Sequence, residues 1–228
     1  MRKWLPLLSL LFVAGLSAYS LYTFPRTKIG SLRAAETKAS SADDDLKVLL
    51  QNMDRPLPND INPGDRIGRI LQRNKAAIPK VVAKLKDPNP YVRTSAALAL
   101  GFIDSKDCEP FMNDLIAAFK DSDNRVRGNI LTVWLKMGTS AAKAVPSLIA
   151  ALNDKDVYIR NNVVIDLGTI GPAARSSLPN LKLAVKDSDC QVRLQAQWAI
   201  ENITHPGAVS YYDNFKKIDK ECNVPGDD

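Results

Sequence analysis

One seven-residue pattern occurs four times in this 228-residue chain. DPNPYVR (87–93), DSDNRVR (121–127), DKDVYIR (154–160) and DSDCQVR (187–193) all read Asp-x-(Asp/Asn)-x-x-(Val/Ile)-Arg, and successive copies start 34, 33 and 33 residues apart. A period of that length marks a chain assembled from stacked supersecondary units, each too small to bury its own apolar face. No other feature of the sequence restricts the fold as much.

The residues around each copy say what the unit is. With the first Asp of each copy as position zero, position −6 is Val81, Leu115, Leu148 and Leu181, and position −2 is Leu85, Phe119, Leu152 and Val185. Apolar residues four apart share one face of a helix. Pro79, Pro146 and Pro179 open three of these first helices, where a missing N–H costs little; in the second unit Pro110 stands three positions earlier. Position +2 is Asn89, Asp123, Asp156 or Asp189, a short acceptor side chain suited to cap a second helix. That helix carries apolar residues at +5 (Val92, Val126, Ile159, Val192), +9 (Ala96, Ile130, Val163, Ala196), +13 (Leu100, Trp134, Leu167, Ile200) and +16 (Ile103, Met137, Ile170, Ile203). Steps of four, four and three keep them on one side.

Each unit is therefore helix, tight turn, helix. The run P-x-L-x-x-x-L-x-D (146–154), the D-x-D-x-x-V-R turn and the runs LALG (98–101) and DLGTIG (166–171) resemble the HEAT repeat, in the short bacterial HEAT-like form also found in phycobilin lyases. The resemblance covers about residues 76–204. It implies an all-α fold, a right-handed α-solenoid of about four HEAT-like helical hairpins with atypical end units. It also implies that Arg93, Arg127, Arg160 and Arg193 bind Asp87, Asp121, Asp154, Asp187 and backbone carbonyls across neighbouring units, as a structural ladder. Recurrence supports this independently, because a catalytic group is needed once and these arginines come once per unit. The turns begin like a calcium loop, but no Glu follows at the twelfth position and helix starts too early, so no metal site is expected.

The second helix has a side turned away from its core stripe. In HEAT solenoids that helix lines the concave face, which places there positions +4, +8, +11 and +15. The expected partner-binding residues are Tyr91, Ser95, Leu98, Arg125, Asn129, Tyr158, Asn162, Ile165, Gln195 and Trp198. Aromatic and aliphatic groups among amides suit a protein-binding surface. The opposing reading has Leu98, Ile165 and Trp198 packed between units. Asp166 breaks a column otherwise filled by Ala99, Val133 and Ala199, so it is either at an edge or in need of a partner.

The ends and the rare residues complete the reading. Arg2 and Lys3 precede an apolar stretch, Trp4 to Phe24, which reads as a secretory signal with candidate cleavage after Ala18 or Ser20, or as an uncleaved membrane anchor. The expected layout is 1–24 signal or anchor, 25–43 flexible linker, 44–75 degenerate N-terminal capping repeat, 76–205 HEAT-like repeats and 206–228 C-terminal capping segment. The protein is then exported, or held at a membrane through residues 4–24; Arg26, Lys28 and Arg33 argue somewhat against export of the C-terminal side. A net charge of +6 is spread along the chain, without the basic stripe that nucleic-acid binders use. The one histidine, His205, and three cysteines outside any CxxC motif, Cys108, Cys190 and Cys222, supply neither a zinc site nor a triad. In an exported chain Cys190 and Cys222 could pair. Asn202-Ile203-Thr204 matches a glycosylation sequon. No catalytic residue or cofactor is expected. The functional expectation is a non-catalytic protein-binding scaffold, with a protein partner and no nucleic acid. Its rivals are a phycobilin lyase-like protein acting on a bilin, and a purely structural spacer.

Overall fold

In the computed structural model, residues 46–47, 50–51, 63–207 and 210–222 are described. The expected signal or anchor (1–24) and linker (25–43) lie outside them, as does most of 44–62. The described residues contain helices and turns and no strand, and none of their helices is long and apolar enough to cross a membrane. The fold is an all-α solenoid.

Four helical hairpins make its body. Their first helices are α2 (Ile78–Ala83), α5 (Met112–Ala118), α7 (Val145–Ala151) and α9 (Leu178–Ala184). Their second helices are α3 (Pro90–Leu100), α6 (Asn124–Met137), α8 (Val157–Ile170) and α10 (Cys190–Thr204). Ahead of them lies α1 (Pro63–Leu71); a short α4 (Ser105–Cys108) follows α3, and α11 (Tyr211–Cys222) closes the chain.

The turns show why each unit starts its second helix where it does. The Asn89, Asp123 and Asp156 side chains accept from the backbone N–H groups of Tyr91, Arg125 and Tyr158, and Asp189 accepts from Val192. The first Asp of each motif accepts from the N–H two residues on, in Asn89, Asp123, Asp156 and Asp189. Two side chains thus satisfy N–H groups that would otherwise be left open at each turn.

The core is a column of the repeated apolar positions. Val81, Leu115, Leu148 and Leu181 are fully buried, as are Ala96, Ile130, Val163 and Ala196. Trp134 lies against Phe119 within its own hairpin, ring centroids 4.8 Å apart. The column loosens at the end, where Val185 and Ile200 are only half-buried. There α11 packs on α10, with Ile218 and Asn214 buried and the Asn214 amide donating to Gln195 Oε1 at 2.9 Å. A Cys190–Cys222 disulfide ties the last residue of α11 to the first of α10, with Cα atoms 5.7 Å apart.

Candidate functional site

The repeated arginine joins consecutive turns. Arg93 Nε and Nη2 donate to the two oxygens of Asp121 at 2.5 and 3.0 Å. Arg160 holds Asp187 in the same two-armed way, at 2.8 and 2.8 Å. Arg127 reaches Asp154 through Nη2 alone, at 3.2 Å. In all four units the Arg Nη1 also donates to the carbonyl of its own motif's first Asp, at 2.9, 2.9, 3.0 and 2.9 Å. These groups are consumed in binding unit to unit. Burial pushes the Asp121 carboxyl up, but the Arg93 fork and the Asp123 N–H outweigh it and leave it below the ordinary range. The Arg160 fork lowers Asp187 against the same opposing burial.

The outer side of the second helices is the remaining candidate. Tyr91 and Tyr158 are 50% and 55% exposed, and Arg125 lies between them in sequence register, its guanidinium 5.2 Å from the Tyr91 ring centroid. Arg125 also clasps Asp123, at 2.6 Å from Nη2 to Oδ2, which lowers that carboxyl. The Tyr158 ring lies across the second helix of the preceding unit, where a Cβ on Gly128 would stand 3.0 Å from Tyr158 Cε1. Between these side chains is a hollow of about 390 Å³, lined by Thr94, Leu98, Asn124, Arg125, Gly128, Asn129, Asp156 and Tyr158. Asn124 spans its rim to Asp156, 2.5 Å from Nδ2 to Oδ2, and this bond lowers the Asp156 carboxyl.

Six of the ten expected face residues are reachable: Tyr91, Leu98, Arg125, Asn129, Tyr158 and Asn162. The other four are not. Ser95, Ile165, Gln195 and Trp198 are buried at 1, 6, 3 and 5% exposure, which corrects their reading as surface groups. Trp198 is enclosed because Gly168, in the unit before it, has no side chain; a Cβ there would sit 2.3 Å from Trp198 Cζ3. Gln195 is covered by Asn214 of α11. Thr94, Asn124 and Gly128 line the hollow without having been singled out in the sequence, and Asp156, expected there as a helix cap, lines it too. Thr94, Asn124 and Gly128 flank the expected columns, and a one-residue step around a helix was enough to hide them.

The other candidates are accounted for. Among the described residues no group of three or more His, Cys, Asp or Glu side chains could hold a metal ion. Cys108 is buried, its Sγ directed at the Leu100 carbonyl, and burial pushes its thiol up to about 11. The sequon residue Asn202 uses both side-chain atoms internally, donating to Gly168 O at 2.7 Å and accepting from Gly207 N at 3.1 Å. Asp166 is 2% exposed, burial alone drives its carboxyl well above the ordinary range, and its Oδ2 has no partner among the described residues.

Residues 77–105 match the HEAT repeat family, and residues 112–201 match a second family described as HEAT repeats. The chain is a HEAT-repeat protein. This HEAT-repeat chain has no match among curated proteins. Among solved structures it is similar to two engineered proteins. One is 17% identical, with 73% of this chain and 75% of that one covered and a TM-score of 0.53. The other is 18% identical, with a TM-score of 0.54; the alignment covers 71% of this chain and about half (48%) of the other. A designed armadillo repeat protein in complex with the peptide (KR)4 is 16% identical, with 76% and 92% covered and a TM-score of 0.57. These likenesses concern the fold, and repeat folds of this class commonly mediate protein binding.

Proposed function

We propose that this HEAT-repeat protein is a non-catalytic adaptor that holds an extended segment of a protein partner against the exposed side of its second helices, and that it works in an oxidising compartment. The observation that carries the first part is the distribution of exposed large apolar side chains. Four stand out among the described residues, and three of them, Tyr91, Val157 and Tyr158, sit at the starts of second helices, Tyr158 lining the 390 Å³ hollow. Half-exposed tyrosines on a rigid helical support are favourable anchors, since little side-chain freedom is lost on binding. The peptide carried by the designed armadillo protein supports the mode of binding for a fold of this class. The Cys190–Cys222 bond supports the second part, because such bonds persist where thiols are not kept reduced. Export, or tethering through residues 4–24, would deliver the chain there.

Crosslinked capture from the native source tests this reading. The bait is the wild type beside Tyr91→Glu/Tyr158→Glu, two exposed positions whose substitution should leave helicity intact by circular dichroism. A protein recovered with wild type and lost with the folded variant is the expected result. Equal recovery with both overturns the assignment of the face.

A further inference from the structure

We infer that the junction between the α5–α6 and α7–α8 hairpins is a hinge, a built-in weak joint between two stiffer halves of the solenoid.

At two junctions the residue at position +14 packs directly on the next unit; at the α3–α6 junction, with Gly101 and Val133, a Cβ on Gly101 would come no nearer than 3.9 Å to α6, at Thr132 Cγ2, and hydrogen bonds tie that junction instead. One period before the repeats, Gly68 would place a Cβ 2.9 Å from Ala99 O and 2.7 Å from Phe102 Cβ, and Gly168 would place one 3.0 Å from Ala199 Cα. Glycine at +14 meeting alanine at +12 lets backbones approach closely. At the junction in question the two positions are Leu135 and Asp166. A half-buried leucine and a buried carboxyl without a partner for Oδ2 stand where the tight junctions have no side chain and one methyl.

The bonds between units weaken at the same place. Lys136 and Asn202, both at +15, donate back to the +14 carbonyl of the preceding unit, Gly101 O at 2.6 Å and Gly168 O at 2.7 Å. Thr169 holds that position here, with no corresponding bond among the described residues. At +8, Asn129 donates across its junction to Thr94 O at 3.2 Å, whereas Asn162 turns back to Tyr158 O of its own helix at 2.7 Å. The Arg127–Asp154 rung is one-armed, and Arg127 Nε is buried without a partner among the described residues. A hollow of about 810 Å³ opens between these units, between Phe119 and Pro146, and the 390 Å³ one by Tyr158 extends on to Thr94 and Leu98 of α3.

What still crosses is Asn124 to Asp156, Tyr158 over Gly128 and the single Arg127 arm near the second-helix N-termini, and Ser140 Oγ donating to Glu109 Oε1 at 2.6 Å ahead of the first helices. These few ties leave the two hairpins the freedom to turn on one another. Bistable joints of this kind are how packed helices convert a local change into a rearrangement. If the proposed binding face is correct, this joint sets the width of the groove beside Tyr158, so that a partner and the curvature of the solenoid bias each other; the hinge itself does not depend on that reading.

The test needs no partner. Lys86, Lys120, Asn153 and Lys186 occupy the same exposed position of successive units, just before the turn. Nitroxides are placed pairwise at substituted cysteines, 86/120, 120/153 and 153/186, in the full chain with the disulfide intact, and dipolar broadening gives each distance distribution. The 120/153 distribution should be about twice as broad as the two flanking ones. Equal widths overturn the hinge. Asp166→Ala with Leu135→Gly, which copies the tight junctions, should narrow 120/153 to the flanking width. Should the double variant not fold, Asp166→Ala alone should narrow it in part. An unchanged width in a folded variant overturns the stated cause.

Discussion

The junction of α8 with α10 and the junction of α6 with α8 are written with the same motif and built differently. Both have an Arg at +6 and an Asp at the next position zero. In the first, Trp198 and Ala199 close on Gly168, and Arg160 grips Asp187 with two arms. In the second, Leu135 and Asp166 hold the matching positions, and Arg127 reaches Asp154 with one. The turn motif thus makes a unit a unit, while the residues at +12 and +14 decide how firmly it sits on its neighbour. A repeat can be conspicuous in sequence and still vary in stiffness along the solenoid.

The comparison breaks most visibly at the tight side. Gly168→Leu would drive a side chain into the Trp198 ring and the Ala199 backbone, neither of which can yield cheaply. It should cost at least about 3 kcal/mol in urea unfolding. If the change is nearly neutral, close packing is not what holds that junction.

The loose side should respond in the opposite sense. Asp166→Ala, which restores the residue found at Ala99 and Ala199, should stabilise the protein by on the order of 2 kcal/mol at pH 7. The pH dependence identifies the cause. The Asp166 carboxyl titrates well above 3.8 in the fold because of burial. The folded chain therefore keeps a proton that the unfolded chain gives up. That contribution is fully present below pH 3.8 and is lost as pH rises towards the folded value, so the advantage of the variant should grow from about pH 4 upward. Asp121 and Asp187 are lowered and act with the opposite sign; their contribution is present above 3.8 and fades on acidification below it. An advantage for Asp166→Ala that is flat with pH would remove Asp166 from the argument. Leu135→Gly should have the smallest effect, a loss of about 1 kcal/mol, because the helix penalty of glycine is offset in part by closer approach of α8.

Much of this architecture was legible from residue columns. The period gave the units, the Asp and Asn residues at +2 marked the helix starts, and the −6, +5, +9 and +13 columns filled the core, since each depends only on neighbours within a unit. The stacking faces were less legible. Whether Trp198 is an anchor or a wedge depends on Gly168, thirty residues back, and on how near that glycine brings α10. The same holds for Ile165 and Ser95, whose helix angle is right for a surface but whose neighbouring unit covers them. Gln195 was hidden by α11, whose placement depends on a disulfide that position in the sequence alone left open. Asp166 was flagged because it broke its column, although the sequence could not tell an edge from an interior.

The central claim is that rungs of one repeated ladder differ in strength with the number of arms the arginine extends, two from Arg93 and Arg160 and one from Arg127. A pair of double-mutant cycles measures it most directly: Arg160→Ala with Asp187→Ala, against Arg127→Ala with Asp154→Ala, each read as unfolding free energy at pH 7. The account predicts a coupling of about 2 kcal/mol for the two-armed pair and less than about 1 kcal/mol for the one-armed pair. Equal couplings, or a stronger Arg127–Asp154 pair, would contradict it.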